Sequence, residues 1–208
     1  MNFDYTNIIS VYLIWVVWDL KGKFFMIANN EKIIDDVKKL GISAATVFSA
    51  KDIKFDSIFR DMCKQNLCGR YGKNYMCPPH NGEVDNLIND VLSYDDAVLI
   101  QTIYNIEDSF DFEGMTEGGE VHDKNTTAVR KYLDENLEYD KMLVLGAGGC
   151  KICEKCGAAD NTPCRFPDKA ISSVEGYCMN VADMTNSHGL KYINGENTVS
   201  YVSIFLLK

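Results

Sequence analysis

The apolar positions Ile33, Ile34, Val37 and Leu40 recur at helical spacing after Glu31, and Gly41 stands where such a helix would stop. SAATVFSA (residues 43–50) reads as a short strand, and FDSIFRDMCKQN (residues 55–66) as a helix that carries Cys63 near its C-terminal end. A third helix has Val84, Leu87, Ile88, Val91 and Leu92 on one face. DAVLIQTIY (residues 96–104) is almost continuously apolar, the pattern of a central strand covered on both faces. Residues 105–123 hold seven carboxylates and three glycines with no Lys or Arg, which predicts a solvated loop. Beyond it come a helix through Val129, Tyr132, Leu133 and Leu137 and a buried strand MLVLGA (residues 142–147). A helix at residues 181–187 and a strand VSYVSIFLL (residues 199–207) end the pattern. Strands alternating with helices predict an α/β fold: a mostly parallel or mixed sheet of about four strands with helices packed on it.

The chain has 208 residues, 46% of them apolar, enough for one substantial core, and residues 26–208 are expected to form a single domain. Its net charge of −9 opposes nucleic acid and anionic membrane surfaces as partners. IISVYLIWVVW (residues 8–18) is too short to span a bilayer, and its flanks lack the positive charge and small-residue cleavage site of an export signal. Residues 1–25 then read either as an extra β-strand or buried helix or, the reading preferred, as an extension produced by an early start codon, with Met26 opening the domain proper.

Eight cysteines in a chain with its own core and no export signal predict reduced thiols and a cytoplasmic protein. Four of them lie in GGCKICEKCGAADNTPCRFP (residues 148–167). Cys150, Cys153 and Cys156 have the spacing C-x2-C-x2-C, which wraps three thiolates around one compact inorganic core, and Cys164 follows with a proline before it. Bacterial ferredoxins share that run but place the last cysteine nearer and the proline after it, so the match is partial. The favoured cofactor is an iron–sulfur cluster of the [4Fe–4S] type, with Lys151, Lys155 and Arg165 offsetting its charge. Zinc is the alternative, although its structural sites usually draw on two separated pairs. Gly146, Gly148 and Gly149 do not form a dinucleotide-binding pattern, and close backbone approach to the centre accounts for them.

Cys63, Cys68 and Cys77 form a second set, spaced C-x4-C-x8-C, that holds another metal or closes over the first. The C-x3-C-x2-C pattern of enzymes that cleave S-adenosylmethionine is absent. Between residues 60 and 77, Arg60, Lys64, Arg70 and Lys73 face one carboxylate, Asp61. That charge either stabilises thiolates and a negative cluster or, through Arg70, Lys73 and Asn74, holds an anionic substrate. His80 reads as a solvated loop residue rather than a ligand, and Cys178 as a packed thiol, though with it the cysteines would suffice for two four-cysteine sites.

Taken together, YGKNYMCPP, GGCKICEKC, TPCRFP and SSVEGYCMNVADM resemble an uncharacterised family of predicted metal-binding proteins of bacteria and archaea, a domain of unknown function, over about residues 29–207. Tyr75 stands where tryptophan is common in that family, and Cys178 where a glycine or a large residue is expected. The resemblance implies that Cys150, Cys153, Cys156 and Cys164 are metal ligands, and that Cys68 and Cys77 join them. It implies no reaction. The expected function is metal binding with a redox role, served by an electron-transfer partner. The alternatives are a metalloenzyme for a small anionic ligand, with an open metal position, and a zinc-stabilised interaction domain.

Overall fold

The computed structural model describes residues 30–208; the expected extension at residues 1–25 lies outside them. Helix α1 (Asn30–Lys38) ends three residues before Gly41, whose φ of 93° needs a residue without a side chain. Strand β1 (Ala44–Ser49), helix α2 (Ile58–Lys64), helix α3 (Val84–Leu92) and strand β2 (Asp96–Asn105) follow as the pattern predicts. Helix α4 (Phe112–Asn136) leads to strand β3 (Met142–Gly146), a two-residue strand β4 (Ser172–Ser173), helix α5 (Val181–Ser187) and strand β5 (Thr198–Leu207).

The five strands form one mixed sheet in the order β1-β2-β5-β3-β4. The C-terminal strand β5 inserts between β2 and β3 and runs antiparallel to both, and β1 is antiparallel to β2. Only β3 and β4 pair in parallel, Leu145 with Ser172 and Gly146 with Ser173. Of the two sheet arrangements expected, the mixed one is realised, because the last strand returns to the middle of the sheet.

Successive β2 side chains enter opposite layers, as a pleated strand requires. Ala97 and Leu99 join a core with Val91 of α3, Tyr94, Met179, Met184 of α5, Ile204 and Leu206. Val98 and Ile100 join another with Ile33 and Val37 of α1, Val129 and Leu133 of α4, Phe205 and Leu207. Both faces are thus covered, which explains the unbroken apolar run. Each fully buried Leu or Ile in it contributes about 1.5–3 kcal/mol.

The acidic stretch departs from expectation. Only residues 106–111 connect β2 to α4; from Phe112 the chain is helical, capped by Asp111, whose carboxylate accepts from Gly114 N–H at 2.7 Å. Glu113, Glu117 and Glu120 face solvent, while Gly118 and Gly119 face the sheet. A methyl group on Gly118 would stand 2.7 Å from the Tyr104 ring, so glycine here permits close packing of helix on sheet. Lower down the same helix, His122 is fully buried, with Nδ1 2.9 Å from Thr102 Oγ1 and Nε2 2.8 Å from Ser203 Oγ. Burial holds its pKa down at about 4. Among the described residues no helix is long and apolar enough to cross a membrane.

Candidate metal centre

The β3–β4 edge of the sheet positions the chemistry. Strand β3 stops at Gly146 and releases the chain into a loop that carries Cys150, Cys153, Cys156 and Cys164 before returning to β4. Within it a short 3-10 turn, Gly157–Asp160, folds the chain back, with Thr162 N–H donating to Gly157 carbonyl at 2.9 Å. A methyl group on Gly157 would lie 2.4 Å from the Thr162 carbonyl oxygen. Only glycine allows that approach, which turns the chain back so that Cys164 lines the same cavity as Cys156. All four cysteines line one cavity, shared with Asn74, Tyr75 and Met76.

The cavity is tight: about 20 Å³ of it can be reached by the centre of a water molecule, room for roughly one water. Among the described residues no three His, Cys, Asp or Glu side chains come close enough together to hold a metal ion as they stand. The donor chemistry around the cavity nevertheless fits a thiolate-ligated metal group, for the four thiols face one space and all eight cysteines are free.

The first cysteine loop closes over the second. Its turns are fixed by Lys73 N–H to the Arg70 carbonyl at 3.0 Å, Cys77 N–H to the Asn74 carbonyl at 3.0 Å and Gly72 N–H to the Pro78 carbonyl at 2.9 Å, and the Pro78–Pro79 bond is cis. From this loop Arg70 Nη1 and Asn74 Nδ2 both donate to the Cys150 carbonyl, at 2.9 and 2.8 Å. Tyr75 Oη donates to the Thr162 carbonyl at 2.9 Å. Cys77 packs against Gly149, where a methyl group would stand 2.6 Å from its sulfur. The two sequence-distant cysteine groups therefore meet at Gly149–Cys150.

The remaining expected residues are distributed around this contact. Arg70 and the buried Asn74 direct donors at Cys150, while Lys73 is exposed. Cys68 is exposed, and Cys77 is buried, its thiol pushed up to about 11 by burial, with Cys68 adding and Arg70 opposing. Cys63 lies at the end of α2, its thiol also raised by burial and next by Cys68. His80 is exposed and its Nε2 lies 3.1 Å from the Gly72 carbonyl. Cys178 is buried in a turn whose φ of 60° is unusual for a side-chain-bearing residue, and burial raises its thiol too. Arg165 donates to the Lys155 carbonyl and Lys155 pairs with Asp160 at 2.5 Å, both within the second loop.

Arg60 was visible in the sequence only as one of four cations. It is buried, and it donates through Nη1 to Asn81 Oδ1 and to the Gly176 carbonyl, each at 2.8 Å, and through Nη2 to the Gly82 carbonyl. It thereby ties α2, the exit of the first cysteine loop and the turn before Cys178 into one unit. No motif spacing encodes that role.

A family model described as predicted metal-binding protein (DUF2284) matches residues 46–207, well over half of the chain. The chain belongs to this family. The resemblance carried by the cysteine motifs is thus shown over nearly the span expected for it. No curated protein matches the chain. Among solved structures, epoxyqueuosine reductase from Bacillus subtilis is similar at 11% identity and a TM-score of 0.39, over 85% of this chain and 45% of that one. A crystal structure of epoxyqueuosine reductase with an epoxyqueuosine-modified tRNA-Tyr stem loop is similar at 12% identity and a TM-score of 0.39, over 84% and 44%. The chain spans less than half the length of either, and a likeness this weak carries no argument about what this member of the DUF2284 family does.

Proposed function

We propose that this member of the predicted metal-binding family is an iron–sulfur protein with a redox role, and that Cys150, Cys153, Cys156 and Cys164 would hold the cluster. The observation that carries the reading is that these four thiols line a single cavity. Their C-x2-C-x2-C run favours a cluster over zinc. When bound, a [4Fe–4S] cluster accepts and donates single electrons.

The chain's own residues have definable tasks in this reading. Arg70 and Asn74 fix the Cys150 carbonyl, and with it the direction of the first ligand's side chain. Tyr75 and the Cys77 sulfur hold the first loop against the second. The cationic side chains of Lys151, Lys155 and Arg165 lie in the loop itself and offset the negative charge of thiolate ligation. Metal binding must displace protons from the thiols it uses. The first set, Cys63, Cys68 and Cys77, acts in this reading as the cover of the centre, with Cys77 at the contact. A cytoplasmic site of action and a protein electron-transfer partner follow from the same reading.

One observation favours a second reading. A cavity with room for roughly one water suits a single ion better than a four-iron core, unless the loop opens on binding. That reading is a zinc-stabilised domain whose metal supplies folding free energy. Spectroscopy after anaerobic purification tests the proposal. A broad visible absorption that bleaches on reduction, and that is lost in Cys153→Ser, supports the cluster. A colourless protein containing stoichiometric zinc overturns it.

A further inference from the structure

Along the Gly146–Ile152 segment lies a cleft of about 760 Å³, bounded by α4. Its size is that of a small-molecule site, which typically runs from about 300 to 1,000 Å³. The floor is polar and built: Ser203 and Thr126, both buried, have hydroxyl oxygens 3.1 Å apart, and His122 Nε2 holds Ser203 Oγ from behind at 2.8 Å. Ile152 and Ile171 supply apolar wall. The charged groups on the lining comprise four cations against three carboxylates, the reverse of the balance in a chain of net charge −9.

Those charges are not equally engaged. Lys151 reaches from the cysteine loop to Asp123 of α4 at 3.1 Å, a strap across the cleft. Lys131 pairs with Glu135 at 3.7 Å, and Asp134 accepts from the Tyr139 hydroxyl. Arg130 of α4, and Asp168 and Lys169 of the loop before β4, have no ion pair among the described residues. Two unpaired cations against one unpaired carboxylate on a part-apolar cleft favour a ligand with an anionic head and an apolar body.

We propose that this cleft binds a small organic anion, a carboxylate or phosphate ester of an apolar molecule, with its head between Arg130 and Lys169 and its body against Ile152 and Ile171. Because the cleft shares Cys150 and Lys151 with the cysteine loop, such a ligand would sit directly beside the centre proposed above. Binding itself does not depend on what metal the centre holds, so the two readings fail separately.

Anilinonaphthalenesulfonate, an apolar body with one anionic group, is a suitable probe for fluorescence titration of the full chain, with metal content measured on the same samples. One saturable site is expected. Thr127→Trp, at an exposed helical position on the cleft wall, and the double variant Arg130→Gln with Lys169→Gln should each weaken the probe at least about tenfold. Lys54→Gln, at an exposed position away from the cleft, should not. Carboxylates and phosphate monoesters of apolar molecules should then compete with the probe. Equal affinity in all variants, or equal affinity for uncharged phenylnaphthylamine, would overturn the proposal. Retained probe binding in a Cys156→Ser protein that has lost its metal would show that the cleft acts without the centre, whereas probe binding lost in that variant alone, with the cleft variants unaffected, would assign the signal to the thiol cavity and overturn the cleft.

Discussion

Two unlike spaces border the segment between Gly146 and Ile152. In one, four thiols line a cavity with room for roughly one water, about 20 Å³, covered in part by the first cysteine loop. The other, a cleft of about 760 Å³, lies open against α4. The tight side is built from hydrogen bonds to backbone carbonyls, Arg70 and Asn74 to Cys150 and Tyr75 to Thr162, so its shape is fixed by neighbouring loops. The open side is built from one face of α4 and the loop residues after β3, with charges on its rim and a buried hydroxyl pair beneath. Rigid loops around thiols hold inorganic ions in place, whereas an open, part-apolar cleft admits and releases molecules. One strand end can thus carry both tasks.

The largest effect separating the two sides should come from Cys156→Ser, which is expected to remove most of the bound metal while leaving probe binding in the cleft within twofold or so of the parent; metal analysis beside the fluorescence titration reads both. Next is the titration of His122 under the cleft floor. Its folded pKa of about 4 lies below the ordinary value of 6.5, so the unfolded chain binds the extra proton first as pH falls. Its contribution, on the order of 3 kcal/mol, is present above pH 6.5 and is lost progressively towards pH 4; Asp123 and Lys151 nearby act on it weakly and in opposite directions. Urea unfolding across that range should show the loss, and His122→Gln should flatten it. A slope unchanged in the variant would refute the assignment.

Smaller effects sharpen the tight side. Asn74→Ala removes a buried donor to the Cys150 carbonyl and should cost about 1–3 kcal/mol in thermal unfolding. It should also accelerate metal loss to a chelator without changing cleft binding. Tyr75→Phe, which loses one hydrogen bond to Thr162, should cost only about 0.5–1.5 kcal/mol. If chelator-driven loss were equally fast in the parent and in Asn74→Ala, the first loop would not be the cover described here.

Much of this architecture is legible in the chain because it rests on periodicity. The runs at 96–104 and 142–147 announce buried strands, and the spacing in α1 and α3 announces amphipathic helices. The first half of α4 is hidden because its sheet-facing side is made of Gly118 and Gly119, where closeness to Tyr104 replaces apolar bulk. Strand pairing is hidden as well, since nothing local tells that β5 inserts between β2 and β3. The cysteine spacings point to the loops that matter, but not to their contact at Gly149 and Cys150, because donors such as Asn74 and Arg70 reach carbonyls, and every residue has one. The cleft has no motif at all: it is assembled from one face of α4 and part of a loop singled out for its thiols.

The central claim is that the thiols of the second loop share one iron–sulfur centre. Quantifying iron, acid-labile sulfide and zinc per chain after strictly anaerobic purification tests it most directly. The account predicts about four iron and about four sulfide per chain, with little zinc. Equimolar zinc without sulfide, or a fully metal-free chain that is equally stable, would contradict it.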